Sequence, residues 1–481
     1  MTVVSTELAS RVLLAAVFVG ASAFEALRER KPSARFRRGM AVSVALLGLA
    51  LAVAQSLGFR VEEGGLAMGP MVFAKQAAYV HKLTFEGKYL CSIVSATLFL
   101  GAVLFTPSAP LVRVRMSRVY LMQALVFTLI EVQKVSSFLL FGALLLLLFN
   151  GAVRHHARSL PEDERGQVRA QAFLWYHGVA LAAIGASLVL RLLHDVGLVI
   201  PAQVGGAPGL LQTIDLALLC LSSAIVAGIF PFHGWVVPFL GAPRGTIFLP
   251  LLCIEVGLLF FFRLYAPIVT QFWSHSFLLI IVPVVGLLYA ALLFFAETRL
   301  KRIPGYLYLS HISLMALSAS GFEEMGMTAS MLDGVNVLVA VLGLLGVCAL
   351  LTSRFGVRGV LAPSGLGALF PELGVCYLVC VLSLVGFPGT LGFIEEEVTI
   401  GQGLEHHAFL VGVVAVALTL NGFSGFRLFA RIFYGQPVEG RDPETSLSFR
   451  ERAVIFLILA LIVLNGVAPK FLLRALSDFA S

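Results

Sequence analysis

The chain has 481 residues, 59% of them hydrophobic and only 13% charged, and its mean hydropathy is +0.94. A soluble domain carries roughly 25% charged residues, so the composition excludes a water-soluble enzyme and points to lipid as the solvent. The net charge of +7 sits in short basic clusters between apolar runs, as in cytoplasmic loops, and not in a nucleic-acid-binding face.

The first apolar run, Val12 to Phe24, precedes its basic cluster of Arg28, Arg30, Lys31, Arg35, Arg37 and Arg38. A signal peptide has the reverse order, so this run is expected to stay as an anchor with its N-terminus outside. Further runs near the ~20 residues needed to span a bilayer follow at 40–59, 89–105, 119–150, 170–200, 211–230, 246–265, 277–296, 304–320, 331–352, 370–387, 408–428 and 453–467. The expected fold is all-α: a polytopic membrane helix bundle of about 13–14 helices forming a single membrane domain.

Basic loops at 28–38, 154–169, 299–302, 354–358 and 427–452 read as cytoplasmic, whereas the acidic 322–327 stretch and the 402–407 connection read as external. This places the chain in the inner (cytoplasmic) membrane with both termini outside. Run 119–150 does not fit a single crossing, because Arg113, Arg115 and Arg118 precede it and Arg154 follows it. The 32 residues of the run are long for one crossing and short for two; either a tight hairpin or a basic loop that is not cytoplasmic would restore the alternation.

Two interruptions organise the chain. Pro231-Phe-His-Gly234-Trp235 breaks one apolar run, and Gly386-Phe-Pro388-Gly389-Thr390 breaks another, with Glu395, Glu396 and Glu397 close behind. Broken helices persist in lipid only where protein or a water-filled cavity satisfies the freed backbone groups, and matched breaks suggest an internal repeat with an ion path between its copies. The expected division is 1–107 (N-terminal helices), 108–265 (first repeat), 266–428 (second repeat) and 429–481 (C-terminal loop and helix).

A charge at the bilayer centre costs roughly 2.5–3.5 kcal/mol on insertion scales, so each ionisable residue within a run invites a functional reading beside a static one. Glu131 and Lys134 stand three apart, on one helix face at ion-pair distance. Glu255 lies mid-run, with Arg263 two turns further along the same face. His233 sits in the first break, and His311 titrates in water near neutral pH, as His233 does. Three adjacent carboxylates at 395–397 cannot all face inward, and Glu396 is the chosen candidate. His177 and Asp215 are weaker candidates, and His406 and His407 read as a solvated loop. The six cysteines (Cys91, Cys220, Cys253, Cys348, Cys376, Cys380) lie in or beside apolar segments as packing residues. With no Cys₄ cluster, paired haem histidines or phosphate loop, no cofactor, no metal and no catalytic residue are expected.

Five stretches carry a family resemblance: Glu131-Val-Gln-Lys-Val-Ser-Ser-Phe-Leu-Leu-Phe-Gly142; Pro231-Phe-His-Gly-Trp235 with Ala242-Pro243; Leu300-Lys-Arg-Ile-Pro-Gly-Tyr306 leading to Ser310-His311; Phe387-Pro-Gly-Thr390 with Gly392-Phe393 and Glu396; and Gly425-Phe-Arg-Leu-Phe-Ala-Arg-Ile-Phe-Tyr-Gly435 with Arg450-Glu451-Arg452. In order and spacing they resemble the antiporter-like membrane subunits of respiratory complex I, Mrp-type antiporters, membrane-bound hydrogenases and DAB-type inorganic-carbon transporters. The resemblance covers residues 86 to the C-terminus. It implies two inverted five-helix repeats conducting protons or another small cation along buried ionisable groups, beside other membrane and peripheral subunits. It also implies two alternatives: the membrane half of an inorganic-carbon uptake pump, or a non-conducting structural homologue. The chain departs from the family where lysines are usual, having Val226 before the first break, Glu255 in the next helix, and Asn336 and Ala340 in the eleventh.

Overall fold

The computed structural model describes residues 14–25, 34–63, 94–103, 116–132, 135–159, 170–194, 209–241, 247–272, 277–321, 324–355, 365–435 and 447–468. Lys134, Cys91, Ala242 and Pro243 fall outside them, as do the side chains of His406 and His407. The helices in chain order are α1 (Leu14–Glu25), α2 (Ala34–Glu63), α3 (Val94–Val103), α4 (Met116–Glu131), α5 (Val135–Ser159), α6 (Ala170–His194), α7 (Leu210–Ala227) and α8 (Val236–Leu240). They continue as α9 (Phe248–Phe260), α10 (Ala266–Phe272), α11 (Phe277–Ala296), α12 (Ile303–Gly321), α13 (Glu324–Phe355), α14 (Leu366–Leu369), α15 (Pro371–Ser383), α16 (Leu391–Phe433) and α17 (Phe449–Val467).

Seven of the described helical spans are long and apolar enough to cross a membrane. The chain is a multi-pass membrane protein. Helix α11 is apolar on every side and keeps Pro283 in its interior, which neighbouring helices make tolerable in a bilayer. Depth in the bundle differs sharply between spans. The spans Phe248–Thr270 and Ala329–Thr352 are 89% and 83% buried by protein, whereas Gln171–Leu193 is 33% buried. Helices α9, α10, α12 and α13 are the most enclosed, α12 being buried throughout 303–320, and α6 lies at the exposed rim, with Trp175, Leu192 and Leu193 exposed.

Run 119–150 is a hairpin. Helix α4 ends at Glu131, α5 begins at Val135, and Arg118 reaches within 3.5 Å of the Gly151 carbonyl, 33 residues away. The two helices therefore run antiparallel. Arg263 holds the tip: its guanidinium donates to the Leu129 and Ile130 carbonyls at 3.3 and 3.2 Å and to that of Val132, and lies over the Phe138 ring. A positive group at a helix C-terminus meets the negative end of the helix dipole.

A π turn over Phe261–Tyr265 lies between α9 and α10, an irregularity frequent at functional positions. Glu255 and Arg263 both face the α3–α4 side, Glu255 through Ser95 and Gln123 and Arg263 at the end of α4. Helix α16 departs from expectation, because 402–407 is helical and not a loop. Thr399 bonds Ser318 at 3.2 Å, and Val414 belongs to the apolar cluster that includes Leu317.

Candidate functional site

The first break follows α7. Gly228 adopts φ +75°, and an added Cβ there would lie 2.3 Å from Val236 Cγ2. Only glycine fits that left-handed turn at so close an approach. The carbonyls freed at the end of α7 are taken by two aromatic donors: Trp235 Nε1 donates to Ile225 O at 3.0 Å and Tyr308 OH to Ala227 O at 2.9 Å. Val226, standing where the family has a lysine, is buried among them. His233 is half-buried in the turn, stacked on Phe230 at 5.1 Å with Tyr289 against it, while Pro231 and Gly234 face outward.

Glu255 lies deep in α9, joined by a one-way chain to the N-terminal helices. Gln123 Nε2 donates to Ser95 Oγ at 2.7 Å, and Ser95 Oγ to Glu255 Oε2 at 3.2 Å. Glu131, half-buried, ends α4 at the hairpin tip. The structure thus separates the first-half candidates: Glu131 sits beside the Arg263 cap, Glu255 joins α3 and α4, and His233 lies in the break. His177 and Asp215 stand apart as well. His177 Nδ1 donates to Phe173 O at 3.0 Å and its ring stacks on Phe173. Asp215 is locked to Arg191 and Ser187, both at 2.5 Å.

The second break gathers what the first disperses. Helix α15 ends at Ser383, and Gly386 and Gly389 turn the chain at φ +66° and +89°. Here the freed carbonyls meet polar side chains. His311 Nε2 donates to Leu384 O at 2.7 Å, and Asn336 Nδ2 donates to Ser383 O at 3.1 Å while Asn336 Oδ1 accepts from Ser383 Oγ at 2.6 Å. The other imidazole nitrogen of His311, Nδ1, lies 2.8 Å from Asp333 Oδ1. A carbonyl can only accept, so Nε2 carries a hydrogen, and the Nδ1–Oδ1 contact holds one further proton between ring and carboxylate.

Two more acids close on this pair from α16. Glu395 and Glu396 are 1% and 7% exposed, while Glu397 faces outward. The Glu396 carboxylate occupies the space of a Gly386 side chain, which would come within 2.1 Å of it. His311, Asp333 and Glu395 each present a ligand-type atom within 4.8 Å of the others. Among the described residues, Asp333 Oδ2, Glu395 Oε1 and Glu396 Oε1 are buried and meet no donor other than one another, the Asp333 and Glu395 carboxyls standing face to face. A buried carboxyl oxygen without a donor costs free energy, on the order of 1–3 kcal/mol, so three together call for an explanation other than stability.

Of the candidates read from the sequence, the structure brings His311 and Glu396 together, and Asp333 and Glu395, not chosen there, join them. The signal for Asp333 was a single acid one turn before Asn336, in a helix where the chain lacks the family's basic pair. Pro388 and Gly389, with Phe387, lie exposed on the outside of the bundle.

Residues 91–421 match the family described as NADH:quinone oxidoreductase/Mrp antiporter, TM. The fold is similar to a chain of respiratory complex I from Thermus thermophilus with bound NADH, at 21% identity and a TM-score of 0.77 over 98% of each chain. It is also similar to a chain of the Mrp complex from Dietzia sp. DQ12-45-1b, at 20% identity and a TM-score of 0.78 over 100% of this chain and 97% of that one. A chain of the membrane-bound sulfane sulfur reductase, an archaeal respiratory membrane complex, aligns at 16% identity and a TM-score of 0.75, over 98% of this chain and 96% of the other. The family match spans well over half of the sequence and includes both breaks and the His311 cluster, so this chain belongs to the NADH:quinone oxidoreductase/Mrp antiporter family as an antiporter-like membrane subunit.

Proposed function

We propose that this subunit conducts protons, or another small cation, within a larger energy-coupled complex of the cytoplasmic membrane, and that the working site is the second-half cluster of His311, Asp333, Glu395 and Glu396. The observation that carries the reading is His311 itself, hydrogen-bonded at once to the Asp333 carboxylate and to the Leu384 carbonyl of the broken helix. A proton moving between ring and carboxylate changes the hydrogen bond that holds the break. Ion occupancy and backbone geometry are thereby linked. Glu131, Lys134, His233 and Glu255 are the first-half contributors, with Glu255 reached through Ser95 and Gln123.

Neighbouring subunits are part of this reading. Phe387, Pro388 and Gly389 lie exposed at the break, with the Phe387 amide and carbonyl bonded inside the turn to Leu382 and Thr390. What supports protein neighbours is that the similar chains belong to multi-subunit complexes. Two crossings over 119–150 support the alternation of basic loops in which both termini lie outside.

The test is co-purification in mild detergent, followed by reconstitution of the recovered complex into liposomes and a pH-dye measurement of flux. The expected result is a multi-subunit complex whose flux is lost in Asp333→Asn. Recovery as a lone monomer that pumps protons against an imposed cation gradient, or full flux from Asp333→Asn, would overturn it. Labelling from the periplasmic side of a cysteine placed in 441–446 would overturn the orientation.

A further inference from the structure

We infer that the cluster at the second break is also a binding site for one divalent first-row transition-metal ion, of the Mn²⁺ or Zn²⁺ class, held by His311 Nδ1 and the carboxylates of Asp333 and Glu395. Binding stands on geometry alone; its consequence, that a bound ion blocks conduction, rests on the function proposed above.

Three observations carry it. The first is spacing: the three ligand-type atoms lie within 4.8 Å of one another. Ligands about 2.0–2.2 Å from a shared ion stand about 3.3–4.4 Å apart, depending on whether they lie along a tetrahedral edge or opposite each other. The 2.8 Å His311–Asp333 contact needs to open only slightly to admit the ion. The second is the outer hydrogen bond. A metal-ligating histidine gives its other ring N–H to a carbonyl or carboxylate, which fixes the tautomer and aims the lone pair. His311 already does this through Nε2 to Leu384 O at 2.7 Å.

The third is the surplus of acceptors. Asp333 and Glu395 are each only 1% exposed and their carboxyls face each other, yet Asp333 Oδ2, Glu395 Oε1 and Glu396 Oε1 meet no donor other than one another among the described residues. Two carboxylates neutralise a dication, and Glu396 offers a further oxygen from the next position on α16. One imidazole nitrogen with carboxylate oxygens and no thiolate suits Mn²⁺ or Zn²⁺ better than a soft ion.

The experiment uses the full-length chain in detergent, stripped with a chelator and titrated with Mn²⁺. Electron paramagnetic resonance counts the bound ion, and its pulsed form reads directly coordinated nitrogen. The expected result is one Mn²⁺ per chain with a nitrogen coupling that disappears in His311→Gln. Affinity falls about 10- to 100-fold or more in Asp333→Asn and in Glu395→Gln, and is unchanged in Glu372→Gln, a half-exposed acid at the start of α15. Asp333→Glu, which keeps a carboxylate, should still bind and guards against misfolding of Asp333→Asn. No Mn²⁺ binding, bound Mn²⁺ without nitrogen coupling, or affinity indifferent to both Asp333→Asn and Glu395→Gln would overturn the inference. Flux lost in Asp333→Asn while no Mn²⁺ binds would overturn the metal site and leave the conduction reading standing.

Discussion

The two helix breaks solve one problem with different chemistry. Each opens on a left-handed glycine, Gly228 or Gly386, and each frees carbonyls at the end of a helix. At the first, an indole and a phenol take those carbonyls and the glycine is packed by Val236. At the second, an imidazole and a carboxamide take them and the glycine is packed by Glu396. Indole and phenol keep their protons near neutral pH, whereas an imidazolium gives up its second one there. The carbonyls of the first break are thus held by groups that do not titrate, and one of those at the second break by a group that does.

The strongest way to break this comparison is Asp333→Asn, which keeps the shape and removes the exchangeable proton. Flux through the reconstituted complex should fall about 100-fold, the lower end of what a positioned acid–base group supplies, with assembly intact on gel filtration. The glycines give the next effect. Gly228→Ala and Gly386→Ala should each cost about 1–3 kcal/mol from the left-handed backbone, seen as a lower thermal midpoint in detergent. Only Gly386→Ala also displaces a carboxylate, so it alone should depress flux in the molecules that remain folded. Equal flux losses from both would erase the distinction.

Tyr308→Phe sharpens the static side. It removes the donor to Ala227 O and should cost about 1 kcal/mol of stability while leaving flux per folded complex unchanged. The smallest effect on stability is expected at Glu255→Gln. An amide oxygen can still accept from Ser95, so the network and assembly survive, and flux should fall less than in Asp333→Asn. Loss of flux in Glu255→Gln, with Asp333→Asn still active, would move the working site to the first half.

The breaks are legible in the sequence because proline and glycine clustered inside an apolar run interrupt a helix wherever they fall. The family resemblance is legible through the same residues, since its motifs are the breaks and their flanks. What the breaks bond to is not. Asp333 stands near an acidic stretch that reads as an external loop, and only the packing of α13 against α12 and α15 brings it to His311. Glu395 is one of three consecutive acids, and which two turn inward depends on where α16 restarts after Gly389. Arg263 lies on the α4 side of its helix as Glu255 does, but its partners, the Leu129 and Ile130 carbonyls at a hairpin tip, leave no mark in composition or periodicity.

The α4–α5 hairpin has a consequence for how such a chain is made and modified. Its arms are joined by three residues, Val132 to Lys134, so neither arm is able to enter the bilayer far ahead of the other, and the pair inserts as one piece. Both ends of that piece emerge on the same side. Removing it whole, or grafting it into a relative, therefore leaves the sidedness of every later loop untouched, whereas losing any single crossing helix would invert all that follows. It is a cassette in the topological sense, a place where the chain gains or loses length in the membrane without renegotiating its orientation.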